Sequence, residues 1–366
     1  MSEVLFMKGN EALAEAAIRA GLDAYFGYPI TPQSEILEYL TVQIPKRGGV
    51  VLQAESEVAA INMIYGAAGA GARVMTTTSS PGFSLMQEGI SYIACAQLPC
   101  LLANVVRGGP GLGTIQPSQG DYFQATKGGG HGDYYMIVLA PSNVQEMADF
   151  VYLGFDLADK YRTPVMILAD GALGQGMEKV TFPDYDPAAR KIAKPWATTG
   201  KTPDRERNII TSLYLEPERM EELDLVLQKK YDTIRQNEVL WEEYLTDDAE
   251  VLFTAFGLAA RIVRKSIQFA RKKGIKAGLF RPKTVWPFPY KRLNELAHQV
   301  DLIQDIELNA GQMVEDVRLG VEGVTPVFFH GRMGGMIPTP EEVLEKMEAN
   351  LATVRGRNGR SKEDGR

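Results

Sequence analysis

Apolar and polar positions follow two periods along the first half of the chain. Runs of near-continuous apolar character at 4–7, 24–28, 50–53, 74–78, 100–106, 135–139 and 165–169 read as strands. Between them lie stretches of helical period. Residues 9–20 place Ala12, Leu13, Ala16, Ala17 and Ala20 on one face, and 32–40, 57–70, 84–95 and 143–159 follow. A run such as 100–106 implies burial on both faces, as in parallel sheets. Strand–helix alternation then predicts an α/β fold with a parallel sheet between helices.

The pattern breaks after Phe182. Residues 183–210 carry several prolines, mixed charge and little periodicity, and 216–244 is a long, charged helical stretch. We read 183–245 as an extended, partly helical connection, either crossing a neighbouring domain or simply solvated. A second α/β set begins at Ala249, with strands at 251–255, 277–281, 301–306 and 327–330. Its helix at 259–273 ends in a basic turn that suits the helix dipole. The expected division is 1–182, 183–245, 246–350 and a disordered tail at 351–366.

Composition narrows the class. Of 366 residues, 45% are hydrophobic and 23% charged, with a formal charge of −7. A mildly acidic chain lacks the clustered Lys and Arg of a nucleic-acid surface. No apolar run reaches the roughly 18 residues of a membrane span. The start lacks a signal-peptide pattern, so a cytoplasmic enzyme is expected. Cys95 and Cys100 lie in a mostly apolar segment and read as buried free thiols. Two cysteines cannot ligate a four-cysteine iron–sulfur cluster or zinc site. Three histidines, His131, His298 and His330, make a histidine-rich metal site unlikely to form, and no metal is expected on this chain.

Polar residues stand where apolar strands run into helices, the places where open parallel sheets bind ligands. Phe26-Gly27-Tyr28-Pro29-Ile30-Thr31-Pro32 is one such turn. Thr31 before Pro32 has the form of a helix cap, although capping does not explain Gly27 and Pro29. Glu57 opens a helix almost devoid of other charge. It is either a first-turn carboxylate favoured by the dipole or a buried functional one. Arg107 ends a buried strand before Gly108-Gly109-Pro110-Gly111, and suits either a substrate carboxylate or an internal acid. These glycines do not complete G-x-G-x-x-G, so a nucleotide-dependent dehydrogenase is disfavoured. The hydroxyls of Thr78 and Ser79, with Gly82, form a further strand-end segment able to hold a polar ring or anion. Gln119, Asp121 and His131 lie on a long loop and are substrate or partner candidates, His131 being alternatively a surface or structural residue. Ala169-Asp170-Gly171 reads as a strand-end turn.

Gly27-Tyr28-Pro29-Ile30-Thr31-Pro32, Glu55-Ser56-Glu57, Val106-Arg107-Gly108-Gly109-Pro110 and Gln119-Gly120-Asp121 occur together and in order. In this the chain resembles the α subunits of the 2-oxoacid:ferredoxin oxidoreductases, over about residues 4–350. The 113–133 run is most similar to the branched-chain (2-oxoisovalerate) subgroup. The resemblance implies a pyrimidine-type thiamine diphosphate domain followed by a transketolase C-terminal-like domain. It implies that Glu57 meets the aminopyrimidine of the cofactor, with Pro29, Ile30, Thr78, Ser79 and Gly82 around it. Thr31 and Arg107 would lie at the substrate, Arg107 on its carboxylate. The implied reaction is oxidative decarboxylation of a 2-oxoacid to acyl-coenzyme A and carbon dioxide, reducing ferredoxin, with pyruvate and 2-oxoglutarate as alternative substrates. The diphosphate motif (Gly-Asp-Gly followed by Asn-Asn) is missing. The Mg2+ site is therefore expected on a β subunit, 4Fe-4S clusters on partner subunits, and γ and δ (ferredoxin-like) chains in a dimer of hetero-oligomers. A non-catalytic scaffold subunit is the competing reading.

Overall fold

The computed structural model describes residues 3–190 and 192–363. In its first part, β1 (Glu3–Lys8) leads into α1 (Gly9–Arg19). Strand and helix then alternate through β2 (Ala24–Gly27), α2 (Ser34–Gln43), β3 (Val50–Gln53), α3 (Glu57–Gly69), β4 (Val74–Thr78), α4 (Ser80–Cys95) and β5 (Cys100–Val106). A short α5 (Tyr122–Thr126), β6 (Ile137–Leu139), α6 (Val144–Tyr161), β7 (Pro164–Asp170), α7 (Gly171–Gln175) and β8 (Met177–Phe182) complete it. The second part holds α8 (Pro217–Asn237), β9 (Trp241–Tyr244), β10 (Val251–Thr254), α9 (Gly257–Lys272), β11 (Ala277–Pro282), β12 (Thr284–Trp286), α10 (Tyr290–Ala297), β13 (Leu302–Glu307), α11 (Met313–Val321), β14 (Val327–Gly331) and α12 (Pro340–Glu363).

The apolar runs become the centre of a seven-stranded sheet of order β12-β6-β7-β5-β4-β2-β3. Every residue of β4, β5 and β7 is buried, which is what continuous apolar strands between two helical layers require. β1 pairs instead with β8 in a separate antiparallel ribbon. The second sheet, of order β14-β13-β10-β11-β9, packs against α9 and α12.

The domain boundaries differ from the sequence reading in two places. β9, from the expected connection, pairs antiparallel with β11 of the second sheet. β12, from the expected second domain, pairs antiparallel with β6 at the edge of the first. The first sheet thus ends in a strand supplied by the second part of the chain, and the second sheet in one from the expected connection. Leu240 N–H donates to Thr284 Oγ1 at 2.9 Å, joining the two edge segments. The fully buried Arg281 ties them further, donating from Nε to Glu242 at 2.7 Å and from Nη2 to Glu146 on α6 at 2.6 Å.

The expected tail is also different. α12 continues through 351–363, because Leu351 and Val354 carry on its apolar face into the second core. Residues 364–366 lie outside the described residues. Cys100 is buried and Cys95 half-buried, and both are free thiols. No described helix is long and apolar enough to cross a membrane.

Candidate active site

The first sheet reverses its direction of growth at β2. The chain adds β3 on one side, then returns to add β4 on the other. A crevice opens at the carboxyl ends of strands at such a point. The turn after β2, the start of α3 and the β4–α4 junction all converge there.

Ser56 caps α3, its hydroxyl accepting from Ala59 N–H at 3.2 Å, and Glu57 is therefore the first helical residue. The Glu57 side chain is buried at 4% exposure. Its carboxylate has no hydrogen-bond or ion-pair partner among the described residues. The residue is buried but its carboxylate oxygens are not sealed off, so the group stays open to a ligand in the crevice. Gly82 makes room for it: a Cβ there would stand 2.3 Å from Glu57 Oε1 and 2.1 Å from Thr78 Oγ1. Ser79, the N-cap of α4, is fully buried, and its hydroxyl is also unpartnered. A Cβ on Gly82 would meet both Glu57 and Thr78, so these three positions share one cradle beside the N-terminus of the 16-residue α4, with Thr78 Oγ1 donating to Ser79 O at 3.4 Å.

The turn 28–33 makes a second wall. Thr31 does not cap a helix. α2 begins at Ser34 with Gln33 as N-cap. The carbonyls that would open a helix at 31–32 are held by side chains: Thr31 O accepts from Arg107 Nη1 at 2.9 Å and Pro32 O from Asn10 Nδ2 at 2.8 Å. The Thr31–Pro32 peptide is cis. Thr31 and Pro29 are exposed on this turn and Ile30 is half-buried. Gln33 pins the turn from below, donating to Tyr28 O at 3.2 Å and accepting from Thr77 Oγ1 at 2.6 Å.

Among the described residues Arg107 is paired with no acid. Nη1 reaches Thr31 O, Nη2 reaches Leu112 O at 3.0 Å, and Nε is buried without a partner. Its planar charge is therefore fixed in orientation by two backbone carbonyls at the edge of the crevice.

The long loop divides. Asp121 lies at the strand ends, accepting from Asn104 Nδ2 at 2.8 Å, and burial pushes its carboxyl up. Gln119 is not displayed to a ligand. Its amide is spent on the second domain, donating to Phe256 O at 2.8 Å and accepting from Leu308 N–H at 3.0 Å. His131 is exposed, edge-on to Tyr92 near the far end of α4. At 1.5 Å per helical residue Tyr92 is about 15 Å from Gly82, so His131 is not part of the crevice. Asp170 is the strand-end cap expected, holding Ala172 and Leu173 N–H on Oδ1, with burial pushing its carboxyl up to about 6. Asn104 was missed. It is the one polar residue in Cys100–Val106, a legible signal, and its Oδ1 is buried and unpartnered.

Residues 15–241 match the family model described as pyruvate flavodoxin/ferredoxin oxidoreductase, thiamine diphosphate-binding. Residues 249–343 match pyruvate:ferredoxin oxidoreductase core domain II. The ketoisovalerate oxidoreductase subunit VorB of Methanothermobacter thermautotrophicus is 49% identical over 93% of this chain and 96% of its own length. The chain belongs to the 2-oxoacid:ferredoxin oxidoreductase family, as an α-type subunit. A solved 2-oxoglutarate:ferredoxin oxidoreductase from Magnetococcus marinus, with 2-oxoglutarate, coenzyme A and succinyl-coenzyme A bound, superimposes with TM-score 0.84 at 29% identity. The match covers 94% of this chain and 65% of that one, so this oxidoreductase subunit spans about two thirds of that relative. A split-gene transketolase superimposes at TM-score 0.61 and 14% identity over 94% of this chain and 98% of its own, which shows the shared fold. The oxidoreductase subunit thus has the thiamine diphosphate-binding fold with a transketolase-like second domain, as expected.

Proposed function

We propose that this subunit supplies the aminopyrimidine half of a thiamine diphosphate site in an enzyme oxidising a branched-chain 2-oxoacid to acyl-coenzyme A and carbon dioxide, with ferredoxin as electron acceptor in the cytoplasm. One observation carries it. Glu57 is a buried residue whose carboxylate, without a partner among the described residues, is given room by a glycine at a strand-end crevice, in a chain whose matching family domain binds thiamine diphosphate. Such a carboxylate calls for a proton-bearing ring nitrogen, and the neighbouring Ser79 hydroxyl calls for a further polar partner.

In this reading Glu57 holds and returns a proton at the cofactor's pyrimidine ring. Thr78, Ser79, Pro29 and Ile30 line the ring, and Gly82 admits it. Bound thiamine diphosphate supplies the nucleophilic carbon and the electron sink. Arg107 presents a fixed positive charge to the substrate carboxylate, with Thr31 beside it.

A β subunit would supply the diphosphate–Mg2+ half. The apolar side chains Val50, Leu52, Val58 and Leu85, exposed on β3, α3 and α4 around this site, support a covering partner. The 4Fe-4S clusters belong to partner chains, γ and δ subunits among them, because two separate thiols cannot ligate one here. The 49% identity to a ketoisovalerate oxidoreductase subunit favours the branched-chain substrate over pyruvate or 2-oxoglutarate.

The test is a substrate panel on the complex reconstituted with its partner subunits. 2-Oxoisovalerate should give the highest kcat/KM for coenzyme A-dependent ferredoxin reduction. A preference for 2-oxoglutarate or pyruvate overturns the substrate, and a cofactor-loaded complex inert to every 2-oxoacid overturns the activity.

A further inference from the structure

Among the described residues the Pro32 carbonyl takes no backbone hydrogen bond. Gln33 N–H turns back to Ile30 O at 3.0 Å and Ile36 N–H to Gln33 O at 3.0 Å, so the turn closes around Pro32 without using its oxygen. Two side-chain amides take it instead. Asn10, the second residue of α1, donates from Nδ2 at 2.8 Å, and Gln175, the last residue of α7, from Nε2 at 3.2 Å. Each nitrogen spends its other hydrogen on Glu35 in the first turn of α2: Asn10 Nδ2 on Oε2 at 2.9 Å and Gln175 Nε2 on Oε1 at 2.7 Å. Pro32 O, Asn10, Glu35 and Gln175 therefore form a closed ring of four hydrogen bonds. Lys8 Nζ buttresses it, donating to Glu35 Oε1 at 3.3 Å and to Gln175 Oε1 at 3.2 Å.

The ring has only one sense. An amide donates from its nitrogen alone, so turning either one over would set its oxygen against the Pro32 carbonyl and the Glu35 carboxylate at once. Glycines let α7 come close enough to take part. A Cβ on Gly174 would stand 2.5 Å from Asn10 Oδ1, and one on Gly171 would stand 2.9 Å from Pro32 Cγ. The backbone after Thr31 is thus held at two successive carbonyls from different elements. Arg107, at the end of β5, takes Thr31 O, and the ring from α1, α2 and α7 takes Pro32 O.

We propose that Asn10 and Gln175 are positioning residues for the substrate end of the site: oriented by Glu35, their amides hold the Pro32 carbonyl and so keep Thr31 and the Arg107 guanidinium in register. This rests on the reading of Thr31 and Arg107 given above. No bond of the ring reaches Glu57, so cofactor binding is left alone.

Two measurements test it. The first is amide hydrogen exchange on the full chain, which needs no turnover. Asn10 is fully buried, whereas Gln175 is exposed at a helix end and can be truncated without leaving a cavity. Asn10→Ala and Gln175→Ala should each speed exchange of the Gln33 and Ile36 amides by about three- to tenfold, the worth of one hydrogen bond. Wild-type exchange at both amides in Gln175→Ala overturns the proposal, whatever the enzyme does. The second is kinetics of the assembled complex. Gln175→Ala should raise KM for the 2-oxoacid by about the same factor with kcat within about twofold, and thiamine diphosphate affinity should stay constant. Gln175→Glu keeps the size but turns the donor into an acceptor facing Pro32 O and Glu35, so it should be at least as poor as Ala. A Glu variant with the wild-type KM would show that the side chain only fills space and overturns the proposal, as does an unchanged KM in Gln175→Ala. Loss of all 2-oxoacid turnover in the wild-type complex would instead strike the functional reading and leave the exchange result as the test of the ring.

Discussion

The Glu57 carboxylate occupies the place where a side chain on Gly82 would begin. A Cβ on Gly82 would lie 2.3 Å from Glu57 Oε1, far inside contact distance. The groups it would strike, Glu57 and Thr78, are side chains and not backbone. Gly82→Ala should therefore displace the carboxylate, and pressing on the buried Thr78 should cost about 1–3 kcal/mol of stability. We expect a complex that still assembles, with thiamine diphosphate affinity reduced at least about tenfold, measured by calorimetry. Equal affinity would show that Glu57 does not meet the cofactor.

Glu57→Gln keeps the shape and removes the proton-sharing group. The complex should assemble and bind cofactor, while kcat falls by about 10²–10⁴, the range for losing a positioned acid–base group. Ferredoxin reduction at the wild-type rate would refute the assignment.

The joint between the two sheets should be acid-sensitive. Glu146 accepts two bonds from Arg281, and the guanidinium together with Lys283 holds its carboxyl down at about 2. A carboxyl depressed from 4.5 stabilises the fold fully above that pH and loses its contribution as pH falls towards 2. The contribution is about 3 kcal/mol. Urea unfolding between pH 3 and 7 should show this slope, and Glu146→Gln should flatten it. Glu146→Ala leaves Arg281 buried without that partner and should cost about 3–5 kcal/mol.

The two thiols should differ in reactivity. Burial pushes the Cys100 thiol up to about 12, whereas Cys95 is only half-buried. Alkylation of the native chain should modify Cys95 first and Cys100 only on unfolding. Prompt labelling at Cys100 would show that β5 opens readily.

The central strands were legible because apolar runs between helices have few other uses. Glu57 was legible because it is the lone charge on its helix. The capping alternative for Thr31 stayed open in the sequence, which cannot show that Arg107 and Asn10 claim the Thr31 and Pro32 carbonyls. Gln119 had the composition of a ligand-facing residue, and only the approach of Phe256 and Leu308 reveals what it grips. β12 is three residues between prolines, and β9 is Trp-Glu-Glu-Tyr, so neither carries a strand's apolar signature. The helical end at 351–363 was obscured by its charge, with Leu351 and Val354 carrying its apolar face into the second core.

These edge strands make the two halves poor candidates for separate expression. A fragment ending near residue 246 would lack β12 and leave the fully buried β6 as a raw edge, inviting pairing with another molecule. A fragment starting there would lose β9 and bare β11 in the same way. Evolution or engineering that divides this gene must cut elsewhere than at the apparent domain boundary.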